Sequence, residues 1–220
     1  MTVAERLASV RERMAAAAAR AGRSPDEVTI VAVSKAQPDD RVRAAYEAGH
    51  RTFGENRAEG LVDHVDLLPG DVAWHFVGRL QSNKARVVRP RIAALHSLDR
   101  PSLAEAWLKG PGSPPPVYVQ VDLAGEPQKG GVGAADAGAL VERCRALGIE
   151  VLGLMVLPPI DGEPRRWFAE LRDLRDRLEP SVGRLPGLSM GMSADFEEAV
   201  EEGSTLIRVG TTIFGHRPHG

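Results

Sequence analysis

Two kinds of hydrophobic pattern alternate along the chain. Short unbroken apolar runs, such as Val31-Ala32-Val33, are followed by longer segments in which apolar residues recur at every third or fourth position. The first pattern is that of a strand buried on both faces, as in a parallel sheet; the second is that of a helix with one face on a core. Residues 3–21 open the chain with the helical pattern, placing Val3, Leu7, Val10 and Met14 on one side among strong helix formers, and Gly22 is a C-cap candidate. From residue 29 a strand–helix unit repeats. Strands are predicted over 29–34, 51–54, 73–77, 94–98, 117–123, 150–157, 185–190 and 205–209. Helices are predicted over 39–48, 57–67, 83–88, 101–108, 135–147, 164–178 and 194–202, and 124–133 reads as a loose loop.

Strands that alternate with helices point to a parallel α/β fold. Eight of them is the closing number of a single (β/α)8 TIM-type barrel. The expected layout is one domain over 1–220, with an extra N-terminal helix over 1–22 and the barrel over 29–215. An open doubly wound sheet fits the same alternation. The Pro/Gly-rich segment 110–116 is too short to separate two domains.

Composition narrows the setting. The formal charge is −2 over 220 residues, which gives no electrostatic case for nucleic acid or an anionic membrane. Cys144 is the single cysteine, so no intramolecular disulfide is available. The N-terminus mixes Arg and Glu with alanines and has no signal-peptide core, and apolar runs fall far short of a membrane span. The expectation is a cytoplasmic protein.

Sorting polar residues by strand end gives candidate chemistry. Lys35 closes strand one; Glu55 and Asn56 follow strand two; Ser193 follows strand seven; Arg208 lies on strand eight, with Gly210 and Thr211 at its end. All fall at C-terminal ends, where such barrels build their sites. Loops after strands seven and eight commonly hold phosphate, and here Gly191 and Gly210 would let backbone approach an anion while Ser193 and Thr211 offer hydroxyls. Ser193 also reads as the N-cap of the next helix. Lys35 facing such a pocket either pairs with a phosphorylated substrate or forms a Schiff base with a carbonyl, and burial at the strand end would lower its pKa toward the reactive amine. Pyridoxal 5′-phosphate (PLP) would use both halves of the site.

At this point the chain resembles a known family, the pyridoxal phosphate homeostasis proteins (YggS/PROSC type). The resemblance is carried by Val31-Ala32-Val33-Ser34-Lys35, Phe53-Gly54-Glu55-Asn56, Trp74-His75-Phe76-Val77-Gly78 with Leu80-Gln81-Ser82-Asn83-Lys84, Leu188-Ser189-Met190-Gly191-Met192-Ser193 with Asp195, and Gly203-Ser204-Thr205 with Arg208-Val209-Gly210-Thr211 and Phe214-Gly215. These span nearly the whole chain. The resemblance implies a barrel like the N-terminal domain of alanine racemase, with PLP as a Schiff base on Lys35, Asn56 near the ring, Arg208 toward the pyridine nitrogen, and Ser193, Gly210 and Thr211 around the phosphate. It implies a role in vitamin B6 homeostasis, buffering PLP or delivering it to PLP-requiring apo-enzymes. Arg79 and Ala36 depart from residues common in relatives.

Two enzyme classes compete with the carrier. A PLP-dependent racemase or decarboxylase needs a second acid or base; the chain ends at Gly220 without the extra β-domain that supplies one in the racemase, which also favours a monomer. The spare candidates are Tyr46, His75 and Cys144. A Schiff-base aldolase without PLP is the third reading. No catalytic residue and no metal ligand is assigned; the histidines, His216 and His219 included, lack metal-ligand spacing.

Overall fold

The computed structural model describes residues 1–159 and 162–216; His219 lies outside them. The strands that matter are β1 (Thr29–Val33), β2 (Thr52–Glu55), β3 (Ala73–Phe76), β4 (Ala94–Leu98), β5 (Val117–Asp122), β6 (Val151–Val156), β7 (Gly187–Ser189) and β8 (Leu206–Val209). Each pairs in parallel with its sequence neighbours, and β1 pairs with β8. An open sheet in this order would leave β4 and β5 as two edges. They pair instead, Leu95 opposite Val117 and Leu98 opposite Val119, and the sheet closes on itself. That pairing decides between the two predicted architectures in favour of the eight-stranded barrel.

The β1 strand shows why an unbroken apolar run is required. Its side chains alternate, so Ile30 and Ala32 join the large core between sheet and helices, while Val31 and Val33 join Tyr118, Met155 and Leu206 in a smaller cluster inside the barrel. Full burial of each such aliphatic side chain contributes roughly 1.5–3 kcal/mol, so both faces must be apolar.

The helices are α1 (Val3–Arg20), α2 (Asp39–Glu47), α3 (Ala58–Leu67), α4 (Ala85–Val88), α5 (Pro101–Trp107), α6 (Ala137–Ala146), α7 (Pro164–Val182), α8 (Phe196–Glu201) and α9 (Thr211–Phe214). A capping box between Thr2 and Glu5 starts α1, which packs against α2, α8 and α9 and is tied to α8 by Arg13–Glu197 and Arg20–Glu201 ion pairs. Several element ends differ from the sequence reading by one or two residues, among them α6, which is Ala137–Ala146, and β7, which is Gly187–Ser189. Helix α7 runs through Pro180 to Val182, because a proline in the last turn forfeits little and the Gly183 N–H still reaches the Glu179 carbonyl at 2.9 Å. Helix α8 begins at Phe196, two residues late. The loop after β5 carries a two-residue strand, Val132–Gly133, paired with Val121 and Asp122.

Among the described residues no helix is long and apolar enough to cross a membrane.

Candidate functional site

The C-terminal ends of the strands surround a cavity of about 500 Å³. Lys35, Asn56, Ser193, Arg208, Gly210 and Thr211 all line it. Six positions spread from residue 35 to 211 are thus brought together at one end of the barrel, where β1 lies beside β8.

Lys35 stands at the corner of a tight turn. The Gln37 N–H donates to the Ser34 carbonyl at 2.9 Å, and Ala36 takes φ 54°, a left-handed conformation costing about 1–2 kcal/mol in a residue with a Cβ. The turn is anchored from behind. Ser34 Oγ donates to Glu55 Oε1 at 2.6 Å, His64 Nδ1 lies 2.8 Å from the same oxygen, and the Asn56 N–H reaches Glu55 Oε2 at 3.3 Å. One buried carboxylate thereby fixes the backbone before Lys35 and that of Asn56 together. Burial opposes a charge on His64, but the hydrogen bond and charge of Glu55, with Asp39 and Asp63, outweigh it and raise its pKa. The expectation of a buried lysine is corrected here: β1 ends at Val33, and Lys35, two residues beyond, is exposed.

The phosphate-type cluster is built differently from the sequence reading. Ser193 does not cap α8, whose N-cap is Asp195; the Asp195 carboxylate makes no bond to the helix N–H groups and accepts instead from the Met192 N–H at 2.6 Å. The Ser193 hydroxyl accepts from the Gly210 N–H at 3.2 Å and the Thr212 N–H at 3.4 Å, while Thr212 Oγ1 donates to the Ser193 carbonyl at 3.3 Å. Gly210 is needed for close approach rather than for its own φ, since a Cβ there would lie 3.1 Å from the Val33 carbonyl oxygen. Gly191 does not line the cavity: its φ of +93° and a would-be Cβ 2.5 Å from Ala199 Cβ make it a packing glycine.

Arg208 is buried at the cavity floor. Its Nη1 donates to Ser189 Oγ at 2.6 Å and its Nη2 to the Val156 carbonyl at 2.9 Å. Burial pulls its pKa down to about 10, partly offset by Asp195 and Tyr118, so it stays cationic at neutral pH. Ser189 continues the contact to His96 Nδ1 at 2.8 Å, and His96 Nε2 lies 2.8 Å from His75 Nδ1. Because a guanidinium only donates, Ser189 Oγ accepts from Arg208, and its second lone pair and its proton let it serve His96 Nδ1 in either sense, so the contacts form one polar chain with either pair of ring tautomers. His75, a spare acid–base candidate in the sequence, is thus a member of this chain and does not line the cavity. Tyr46 bonds Asp71 and Cys144 is buried on α6, neither in the cavity.

The interior histidines make the protein acid-labile. Burial lowers His75 to about 4, and lowers His50 to about 4 against the pull of its bond to the Thr52 carbonyl; burial, with the charges of His75 and Arg208, takes His96 well below the usual value. Between pH 6.5 and 4 the unfolded chain binds protons that the folded chain does not, so stability is intact above that window and falls with acidification. His64 has the opposite sign, but His50 and His75 each forfeit roughly 2 kcal/mol by pH 5. The urea midpoint should drop markedly from pH 7.5 to pH 5; a flat or rising midpoint would contradict this account.

Several lining residues were not singled out as site residues from sequence. Gln120 donates to the Lys129 carbonyl at 3.0 Å, and Lys129 Nζ bonds Glu126 at 2.7 Å and the Pro158 carbonyl at 2.9 Å, so the β5–α6 loop is drawn over the mouth. Gly78 lies against the Asn56 carbonyl, which a Cβ would meet at 2.2 Å. Gln120 sits on an ordinary apolar strand and Lys129 in a polar loop, so no local signal marks either.

Comparison with known proteins accords with this geometry. The family described as alanine racemase, N-terminal domain, matches residues 6–218. The chain is 40% identical to the pyridoxal phosphate homeostasis protein of Aquifex aeolicus, over 100% of both chains. Among solved structures, PipY of Synechococcus elongatus with PLP bound has 36% identity and a TM-score of 0.83, covering 97% of this chain and 100% of that one. Alanine racemase from Corynebacterium glutamicum shares the fold, with 17% identity and a TM-score of 0.74 over 97% of this chain and 62% of the racemase.

Proposed function

Because the chain belongs to the alanine racemase N-terminal domain family and, within it, to the pyridoxal phosphate homeostasis proteins, we infer that it binds PLP and contributes to PLP homeostasis. One observation carries the reading. A single cavity is lined by the amine-bearing Lys35, by Ser193, Gly210 and Thr211, whose hydroxyl and backbone groups suit an anion, and by Arg208 with its guanidinium. An aldehyde, a phosphate and a pyridine nitrogen call for these three kinds of partner. The donor set therefore fits the cofactor. Lys35 would hold it through a Schiff base, Ser193, Gly210 and Thr211 would take the phosphate, Asn56 would border the ring, and Arg208 would serve the ring nitrogen.

Bound PLP supplies an aldehyde that carries amines and, when its ring nitrogen is protonated, an electron sink. Arg208 works against the second use, since a donor that remains cationic does not share a proton with that nitrogen. The titratable residues among those lining the cavity are Lys35, Arg79, Lys129 and Arg208, all cations, with no carboxylate or imidazole. Lys129 Nζ is bonded to the Glu126 carboxylate and the Pro158 carbonyl. A racemase or decarboxylase needs an acid or base across from the lysine, and these residues offer a carrier's pocket instead. The name of the Aquifex relative, a homeostasis protein, agrees.

The proposal extends to one domain over 1–220, acting as a cytoplasmic monomer that passes PLP to apo-enzymes requiring it. Mixing loaded protein with such an apo-enzyme and a trap for free PLP tests the delivery step. Activation that survives the trap is the expected result. Suppression to the level of free PLP reduces the role to buffering, and multiple-turnover racemisation of amino acids by the purified protein would overturn the carrier reading.

A further inference from the structure

Beside the cavity, on the same face of the barrel, lies a groove of about 960 Å³. The two share Asn56 and Arg79, so the groove opens at the cavity's edge. The Arg79 stem runs beside Gly130 of the β5–α6 loop, where a Cβ would lie 3.5 Å from its Cδ and Nε and 3.1 Å from Asp99 Oδ2, and Arg79 lines both spaces.

The charges in the groove are not balanced. Its lining holds Arg57, Arg79, Lys84 and Arg100 against one carboxylate, Glu59. Lys84 is met by Glu59 at 2.8 Å, and Arg100 by Asp99 at 2.5 Å. Among the described residues the guanidinium groups of Arg57 and Arg79 have no hydrogen bond or ion pair, and both residues are exposed. The remaining polar lining, Gln81, Ser82 and Asn83, supplies further amide and hydroxyl donors.

We propose that this groove is a second, non-covalent site for a phosphate monoester of a pyridine alcohol, placed to hold it beside the cavity. Two exposed guanidinium groups without a hydrogen bond or ion pair, Arg57 within the field of Glu59, suit a monoester that carries about −1.5 to −2 at neutral pH, and guanidinium presents its donors in the fork that phosphate accepts. The space is larger than the cavity, and its one lining lysine, Lys84, is in an ion pair with Glu59. A cofactor entering or leaving Lys35 crosses this positive field, which concentrates an anion at the mouth. The inference rests on the PLP-binding reading and deepens it, by giving the carried group a place to wait.

The test separates the two. PLP is first fixed to the protein with borohydride and the adduct located by mass, which examines the first reading alone. Pyridoxine 5′-phosphate, which lacks the aldehyde, is then titrated calorimetrically onto this blocked protein. One site should appear, with affinity at least tenfold weaker in Arg57→Gln/Arg79→Gln and in Arg57→Glu alone, and absent for unphosphorylated pyridoxine. Both side chains are exposed, and far-ultraviolet circular dichroism of each variant checks that it folds. No binding to blocked protein, equal binding of pyridoxine, or affinity unchanged in the variants overturns the site, as does a short polyglutamate peptide displacing the ester at lower concentration than inorganic phosphate. If no adduct forms, the first reading fails, while Arg57-dependent binding of the phosphate ester remains measurable on the untreated protein.

Discussion

Lys35→Ala protein is expected to remain colourless with PLP, to take no borohydride-fixed pyridoxyl mass, and to hold PLP at least about 100-fold more weakly, a loss near 2.7 kcal/mol. The fold should be untouched, because Lys35 is exposed in a turn held by its neighbours: the Ser34 carbonyl closes the turn and Ser34 Oγ anchors it to Glu55. What remains after the substitution is the phosphate cluster and Arg208, which bind without a covalent link. The sharpest control is Lys129. It lines the same cavity, so a cofactor without preference between amines would label it once Lys35 is gone. Its Nζ, however, is bonded to the Glu126 carboxylate and the Pro158 carbonyl, and both bonds must break before it can meet an aldehyde. Peptide mapping should therefore find the label on Lys35 in the parent and nowhere in the variant. A parent labelled at Lys129, or a variant that retains the colour and the affinity, would move the site.

How much of this could be read from the sequence depends on how local each signal is. The strands are legible because burial on both faces leaves an unbroken apolar run, as in Val31-Ala32-Val33, and the residues at their C-terminal ends gather wherever the sheet closes. Closure itself rests on one pairing, β4 with β5, and no residue in either strand announces it. Lys35, Asn56, Ser193, Arg208, Gly210 and Thr211 could be singled out because each sits in a short motif at a strand end. Their surroundings could not. Ser193 looks like a cap for the helix after it, yet bonds backbone from the next strand–helix unit. His75 and His96 look like unrelated strand histidines until adjacent strands set them 2.8 Å apart. Glu55, Ser34 and His64 come from three elements, and only packing shows that one carboxylate serves all of them. The burial assigned to Lys35 failed for a related reason: the strand stops at Val33, one residue before the predicted end, and the turn that follows leaves Lys35 exposed.

Gly153→Ala should be the most damaging single methyl in the barrel, with a loss above about 4 kcal/mol, beyond the range of ordinary point substitutions. Gly153 on β6 faces Gly187 on β7, and a Cβ at 153 would lie 1.8 Å from the Gly187 carbonyl oxygen and 2.5 Å from its carbon. Backbone is on both sides of that contact, so no side-chain rotation relieves it. In an open sheet the two strands could part at an edge; here they are closed into a ring and cannot. The glycine pair also makes room for the Tyr118 ring, since a Cβ at 187 would come within 2.6 Å of Tyr118 Cε1. Tyr118 in turn lies against His96, ring centroids 4.6 Å apart, and His96 holds Ser189 and through it Arg208. Prising β6 from β7 therefore disturbs the floor of the cavity as well as the wall. With domain stabilities of about 5–15 kcal/mol, the variant is expected to be largely insoluble or to melt at least about 10 °C lower. Gly133→Ala is the matched control: a Cβ there meets nothing within 4 Å, and its stability should stay within about 0.5 kcal/mol of the parent. A Gly153→Ala protein that melts within about 2 °C of the parent, by a scale of 2–4 °C per kcal/mol, would mean that β6 and β7 are not packed backbone to backbone. The link from barrel wall to Arg208 would then have to be sought elsewhere.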